Sequence, residues 1–315
     1  MTGRELVFSN PDVIRLIKDS FVPYAGDQWY LHRQQDADGE FFWKVAGQSH
    51  HKDQPRNQTR QGVYAALADG QFLGSDHFHP DPARMVRLLQ RSLAKGQQLA
   101  PAAAKVELAA AVDTRFQRVP PPGGVVLDAY TRIPQPASAT EWTPNHATGR
   151  DHVWITKEEA RALLPARWEK GAAVPLSKAV TERLLRFHLV DNVRGEPPMW
   201  GRDEIRQADL QLVVEDPAAG RLRLAGTAVL RTADSSRGYE ARLQGYVEYD
   251  RAADQFRRFD LLSWGRAWGE GPYTRRAPEG KFPLLVALSL AGDAPADRVP
   301  PQASRDRGDY FGTGR

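Results

Sequence analysis

From about Ile205 onward the spacing of apolar residues in this chain changes to a period of two, and that period dictates an extended, half-buried backbone. Leu210, Leu212 and Val214 alternate with polar neighbours. Leu222, Leu224, Gly226, Ala228 and Leu230 alternate against Arg221, Arg223 and Arg231. Tyr239, Ala241, Leu243, Gly245, Val247 and Tyr249 alternate against Glu240, Arg242, Gln244 and Glu248. Phe259–Trp264 and Phe282–Leu290 add two further runs. Pro-Ala-Ala-Gly, Asp-Ser-Ser-Arg-Gly and Asp-Arg-Ala-Ala-Asp mark the turns between them. The expectation is an antiparallel meander of about five strands, polar on one face, curled as a half-barrel or sandwich around a core or a ligand.

The 315 residues are enough for two cores. Hydrophobic residues make up 41% and charged residues 26%, ordinary values for a globular chain. No run of apolar residues is long enough to cross a bilayer. The first thirty residues show no basic start followed by an apolar run, so no leader is read there and the cytoplasm is the expected compartment. The net charge of +4 comes from arginines dispersed beside Asp and Glu. That pattern reads as a solvated surface, so neither nucleic acid nor membrane is expected as a partner; an unknown small molecule or protein is.

Five segments precede the strands. Ser9-Asn10-Pro11-Asp12 starts a helix running through Val13, Leu16 and Ile17, with Asn10 as cap and Pro11 at the first helical position. Phe21-Val22-Pro23-Tyr24-Ala25 reads as a short strand, and Trp29–Gln48 as helical with an interruption at Asp36-Ala37-Asp38-Gly39. Gly62–Leu67 and Gln71–Gly74 flank Asp69-Gly70, a hairpin signal. Asp81-Pro82 opens a helix with Met85, Val86, Leu89 and Leu93 on one face.

The order helix, strand, helix, hairpin, helix over residues 5–95 resembles the thioredoxin-like superfamily. The resemblance implies an incomplete thioredoxin-like α/β domain, giving an α+β protein overall. The family's Cys-x-x-Cys would precede Phe8-Ser9-Asn10-Pro11, and its cis-proline position is taken by Thr59-Arg60-Gln61-Gly62. The chain holds no cysteine, so no thiolate can attack or resolve a disulfide. No catalytic residue carries over; a non-redox binding or accessory protein is the expected role.

The expected organisation is residues 1–98 as the thioredoxin-like domain and 99–123 as an Ala/Pro-rich connector with a helix near 101–115. Residues 124–303 are the β-rich domain, with helices near 156–164 and 177–190, and 304–315 a loose tail. Val125–Tyr130 reads as a strand able to complete the first domain's sheet. Thr156-Lys157-Glu158-Glu159 is a capping box, and Ser177 caps the next helix.

Three groups carry possible chemistry. His50-His51 lie in the loop before the hairpin, and His77-Phe78-His79 end it. Pairing about Asp69-Gly70 sets His77 near Gly62 and His79 near Arg60, so His50, His51, His77 and His79 form a candidate site for Zn²⁺, Cu²⁺ or Ni²⁺, in a metal-dependent enzyme. No Asp/Glu spacing completes the set. His188, Asp191, Arg194 and Glu196, with Asn192 and Trp200, could hold a general base and its orienting acid, or merely end a helix. Trp264, Trp268, Glu270, Tyr273, Arg275 and Arg276 suit an aromatic-lined pocket for an anionic or carbohydrate-like ligand, or close the sheet's core. His32, His146, His152 and His188 stand outside any local cluster.

Overall fold

The computed structural model describes residues 7–79, 81–99, 113, 116, 119–134 and 148–312. The chain divides into two compact units, Thr2–Gln117 and Arg118–Arg315. The helix expected near 101–115 lies outside the described residues apart from Asp113, and His146 also lies outside them.

In the first unit α1 spans Pro11–Ser20, its amides of Asp12 and Val13 held by Asn10 Oδ1 at 3.0 and 3.2 Å. Residues 21–25 do not form the expected strand. They belong to no sheet, and Val22 is 96% exposed. Short α2 (Gln28–Leu31) and α3 (Ala37–Ala46) follow, the latter capped by Asp36 on Gly39 N. Strands β1 (Val63–Ala66) and β2 (Phe72–Asp76) pair antiparallel in a two-stranded sheet. Gly70 turns them with φ +83°, a conformation costly for residues with a Cβ. Helix α4, Pro82–Gln98, packs on β2 at Gly74, where a Cβ would meet Ser92 Oγ at 2.7 Å. Val7, Val13, Met85, Leu88 and Leu89 form the core of this unit, each large side chain contributing about 1.5–3 kcal/mol by burial.

The second unit is built on one eight-stranded sheet in the order β4-β3-β10-β9-β8-β7-β6-β5, every neighbour antiparallel. The strands are β3 (Val125–Arg132), β4 (Thr148–Ile155), β5 (Ala173–Pro175), β6 (Ile205–Asp216), β7 (Arg221–Arg231), β8 (Gly238–Asp250), β9 (Gln255–Trp268) and β10 (Phe282–Leu290). The five alternating runs form the meander as expected. Strand β3, however, lies between β10 and β4 in this sheet and completes no other.

The sheet's inner face (Leu127, Val153, Leu212, Leu224, Leu243, Leu261, Leu284) buries against α5 (Lys157–Ala162), α6 (Lys178–Arg183) and a π-turn at Leu184–His188. The Thr156 capping box is complete: Glu159 N donates to Thr156 Oγ1 at 3.2 Å, and Thr156 N to Glu159 Oε2 at 2.9 Å.

The segment after residue 304 is not loose up to Gly312. It forms α7 (Arg307–Phe311), whose Tyr310 is buried beside Trp154 and Phe187. Its anchoring side chains supply the order that Gly308 and Gly312 lack.

Candidate metal centre

The loop between α3 and β1 is folded by its own polar groups. Ser49 Oγ donates to Ala46 O and accepts from His51 N, which ends α3 and starts a turn. Buried Arg60 donates to the carbonyls of Gln54, Pro55 and Gln58 and lies 4.8 Å from the Trp43 ring. Tyr64 donates its hydroxyl to Arg60 O, and burial, outweighing Arg60's charge, pushes its phenol up to about 12. Helix α3 and the loop are fastened to the hairpin by Lys44 Nζ on Asp69 O, Gln48 Nε2 on Gly70 O and His50 N on Ser75 Oγ.

Register then decides the rest. Val63 faces Asp76, so His77 emerges from β2 beside Gly62 and beneath the loop that bears His50 and His51. One ring nitrogen from each of His50, His51 and His77 lies within 4.8 Å of the others. Ring centroids stand 4.0 Å apart for His50–His51, 4.1 Å for His50–His77 and 5.0 Å for His51–His77. Gly62 makes the space: a Cβ there would meet Asp76 O at 2.8 Å and His50 Cε1 at 3.1 Å.

His79 is the exception among the four expected ligands. It is outside the group, and its Nδ1 accepts from Asp81 N at 3.2 Å at the start of α4. Alternate residues of a strand share a face only while the strand lasts, and β2 ends at Asp76.

Tautomers are set by neighbours. His51 is buried, with Nε2 3.0 Å from Gln61 O and Nδ1 2.8 Å from Gln54 Oε1. A neutral imidazole has one N–H for these two acceptors. With Nε2–H on the backbone carbonyl, Nδ1 presents a lone pair, which a cation or the turned Gln54 amide satisfies. His50 Nδ1 lies 2.7 Å from Ser75 Oγ, leaving Nε2 for a ligand. Burial first, then the charges of His51 and His77 against the pull of Asp76, lower His50 to about 4. It is therefore neutral at pH 7 and able to coordinate. A ring nitrogen bonded to a carbonyl or hydroxyl while the other faces the ion is the usual outer support of a metal-binding histidine. The chemistry of the donor set suits Zn²⁺, Cu²⁺ or Ni²⁺.

The other two expected groups do not assemble. His188 faces β4 and the C-terminal helix: its Nε2 is 3.0 Å from Tyr310 Oη, and its Nδ1 is 3.7 Å from Asp151 Oδ2. Asp191 instead pairs with Arg194 at 2.5 Å and caps the amides of Val193 and Arg194. Glu196 binds Gln302 and Arg305. His188 is the last residue of the buried π-turn Leu184–His188.

Trp264 and Trp268 lie on the outward face of β9. Trp268 covers Gly238, where a Cβ would come 2.2 Å from its ring, and donates its indole N–H to Ser235 O. Glu270 accepts from Ala277 N, Arg275 donates to Pro272 O, and Tyr273 is 72% exposed. Arg276 sits at φ +63° in the turn. The cavity beside Trp268, Trp200 and Tyr239 holds about 30 Å³, room for one water and no ligand.

Cross-strand register creates one group that the linear sequence hides. Asp128 of β3 faces His152 of β4, and Asp297 joins them from the 3-10 turn Pro295–Arg298. No family model, curated protein or solved structure matches this chain.

Proposed function

We propose that this chain is a non-redox metal-binding protein in which His50, His51 and His77 hold a divalent transition ion. The observation that carries the reading is the meeting of three imidazoles from two separate chain segments, with His50 and His51 braced from outside by Ser75 and Gln61. In this reading the thioredoxin-like resemblance of residues 5–95 supplies a frame without chemistry, because the chain has no thiol. His51 anchors from the interior, while His50 and His77 close on the ion from the exposed side.

Titration of tag-free protein with Zn²⁺, Cu²⁺ and Ni²⁺ by calorimetry tests this. One saturable site that is weakened at least tenfold in His77→Ala and missing from the stoichiometry of the pair His50→Ala/His77→Ala supports it; equal binding by all three proteins defeats it.

A second reading, a metal-dependent hydrolytic enzyme, is favoured by the absence of a fourth His or carboxylate from the group among the described residues. Three protein ligands with one open position is the arrangement in which zinc activates water. Zinc-dependent hydrolysis of an activated ester, abolished by His77→Ala, separates it from simple binding.

A further inference from the structure

The cluster on the outward side of β3 and β4 is chemically distinct from the histidine centre. Buried His152 is 4% exposed, and its Nε2 has no hydrogen-bond partner although it lies 3.3 Å from Asp128 Oδ1. Ligand atoms of Asp128, His152 and Asp297 all lie within 4.8 Å of one another. Asp297 is tucked against the backbone; a Cβ on Gly292 would stand 2.8 Å from its Oδ2. A buried imidazole nitrogen that lies beside two carboxylates and makes no hydrogen bond demands an explanation, since buried polar atoms are nearly always satisfied.

We propose that Asp128, His152 and Asp297 form a site for a divalent cation of mixed nitrogen and oxygen preference, Zn²⁺ or Mn²⁺, with the Arg150 guanidinium as its displaceable occupant. Arg150 donates to Asp128 Oδ1 at 3.0 Å and to Asp297 Oδ1 at 3.2 Å, so a positive charge already stands between the two acids. The guanidinium satisfies the carboxylates but donates no hydrogen bond to His152 Nε2; a metal ion would take a lone pair from all three. Arg150 is free to yield. Its side chain is 44% exposed, and it rests 5.7 Å from the ring of Tyr130, its partner across the strands, where it can stay when the carboxylates turn to an ion. The ion would tie the 295–298 turn to the β3–β4 pair and so stabilise the C-terminal segment that follows it.

The test uses the full chain carrying His50→Ala and His77→Ala, which silences the first centre. Titration with Mn²⁺, followed by electron paramagnetic resonance, and with Zn²⁺, followed by calorimetry, should reveal one saturable site. Adding His152→Gln or Asp297→Asn should weaken it by about tenfold or more, the scale on which even supporting partners act. Adding Arg150→Gln should tighten it several-fold, because a competing cation is gone. Limited proteolysis should show the C-terminal segment protected by the ion. Asp297 lies in a surface turn, so its variant keeps the fold even if the buried His152 variant does not. Absence of saturable binding in the Arg150→Gln background, or binding indifferent to Asp297→Asn, overturns the proposal.

Discussion

The hydroxyl of Tyr310 lies 3.0 Å from His188 Nε2 and 3.0 Å from the Trp154 amide nitrogen, so one phenol oxygen serves both a buried ring and the open edge of a sheet. It accepts from Trp154 N–H and shares a hydrogen bond with His188 Nε2. Strand β4 is an edge, and an unsatisfied edge amide is both costly and a template for pairing with another chain. Tyr310→Phe removes both hydrogen bonds together while keeping the ring among Phe187 and Trp154. We expect a loss of about 1–3 kcal/mol in urea unfolding, the cost of leaving buried polar groups unbonded. An unchanged midpoint would mean that water replaces the hydroxyl.

His188 Nδ1 also lies 3.7 Å from Asp151 Oδ2, and burial moves the two groups in opposite directions. Burial raises the Asp151 carboxyl to about 7; burial, then Arg183 and His152, lowers His188 to about 3. Between the ordinary carboxylate value and pH 7 the folded Asp151 keeps a proton that the unfolded chain has released, so its contribution to stability falls as pH rises. Between pH 3 and 6.5 the folded His188 lacks a proton that the unfolded chain binds, so its contribution rises with pH. The slopes are opposite, each about 1 kcal/mol per pH unit, and nearly cancel from pH 4 to 6.5. Asp151→Asn removes the first. The variant should gain stability with rising pH through that window, relative to the parent protein measured in the same denaturant series; parallel profiles would refute the raised Asp151 carboxyl.

Gly62 is the geometric key to the histidine centre. Its missing Cβ leaves room for the His50 ring and the Asp76 carbonyl, both of which a methyl group would contact closely. Gly62 does not occupy the left-handed region, so its replacement acts through crowding and not backbone strain. Gly62→Ala should displace His50 and weaken Zn²⁺ or Ni²⁺ binding about tenfold, and because the closer contact is the backbone carbonyl of Asp76 the hairpin must shift too, costing about 1–3 kcal/mol in thermal unfolding. Full affinity in this variant would show that His50 is not a ligand.

These sites were unequally legible in the chain. Strands β6 to β10 announce themselves because one face is buried and the other wet, which writes a period of two into Leu222, Leu224 and their neighbours. Strand β4 does not, because His152, Val153, Trp154 and Ile155 are all buried, two on each face. The run Val125–Tyr130 is plainly extended, but an apolar run carries no address, and only the folded register shows it beside β10. The same register separates the two candidate clusters: His50, His51 and His77 could be brought together by one local hairpin, whereas Asp128 and His152 meet through the pairing of β3 with β4. The order of the final segment was hidden for another reason. Gly308 and Gly312 suggest freedom, and the anchoring by Tyr310 and Asp309 depends on partners far away in the chain.

Arg183 is the strongest of those distant partners. It is 2% exposed, donates to both oxygens of Glu159, to Trp154 O at 3.2 Å and, through Nε, to Tyr310 O at 2.8 Å. One guanidinium thus joins the capping box of α5, the edge of β4 and the C-terminal helix. Burial pushes the Glu159 carboxyl up, but the Arg183 hydrogen bonds and the Thr156 amide outweigh it and hold the group below its ordinary value. Its contribution is present at neutral pH and is lost as pH falls through the carboxylate range. Arg183→Met leaves that carboxylate and two carbonyls without their donor and should cost about 3–5 kcal/mol, as breaking a buried pair does. Adding Glu159→Gln removes the orphaned charge and should restore part of the loss, giving a coupling of about 1–3 kcal/mol in a double-mutant cycle. Additive losses in guanidinium unfolding would show that the two side chains act independently.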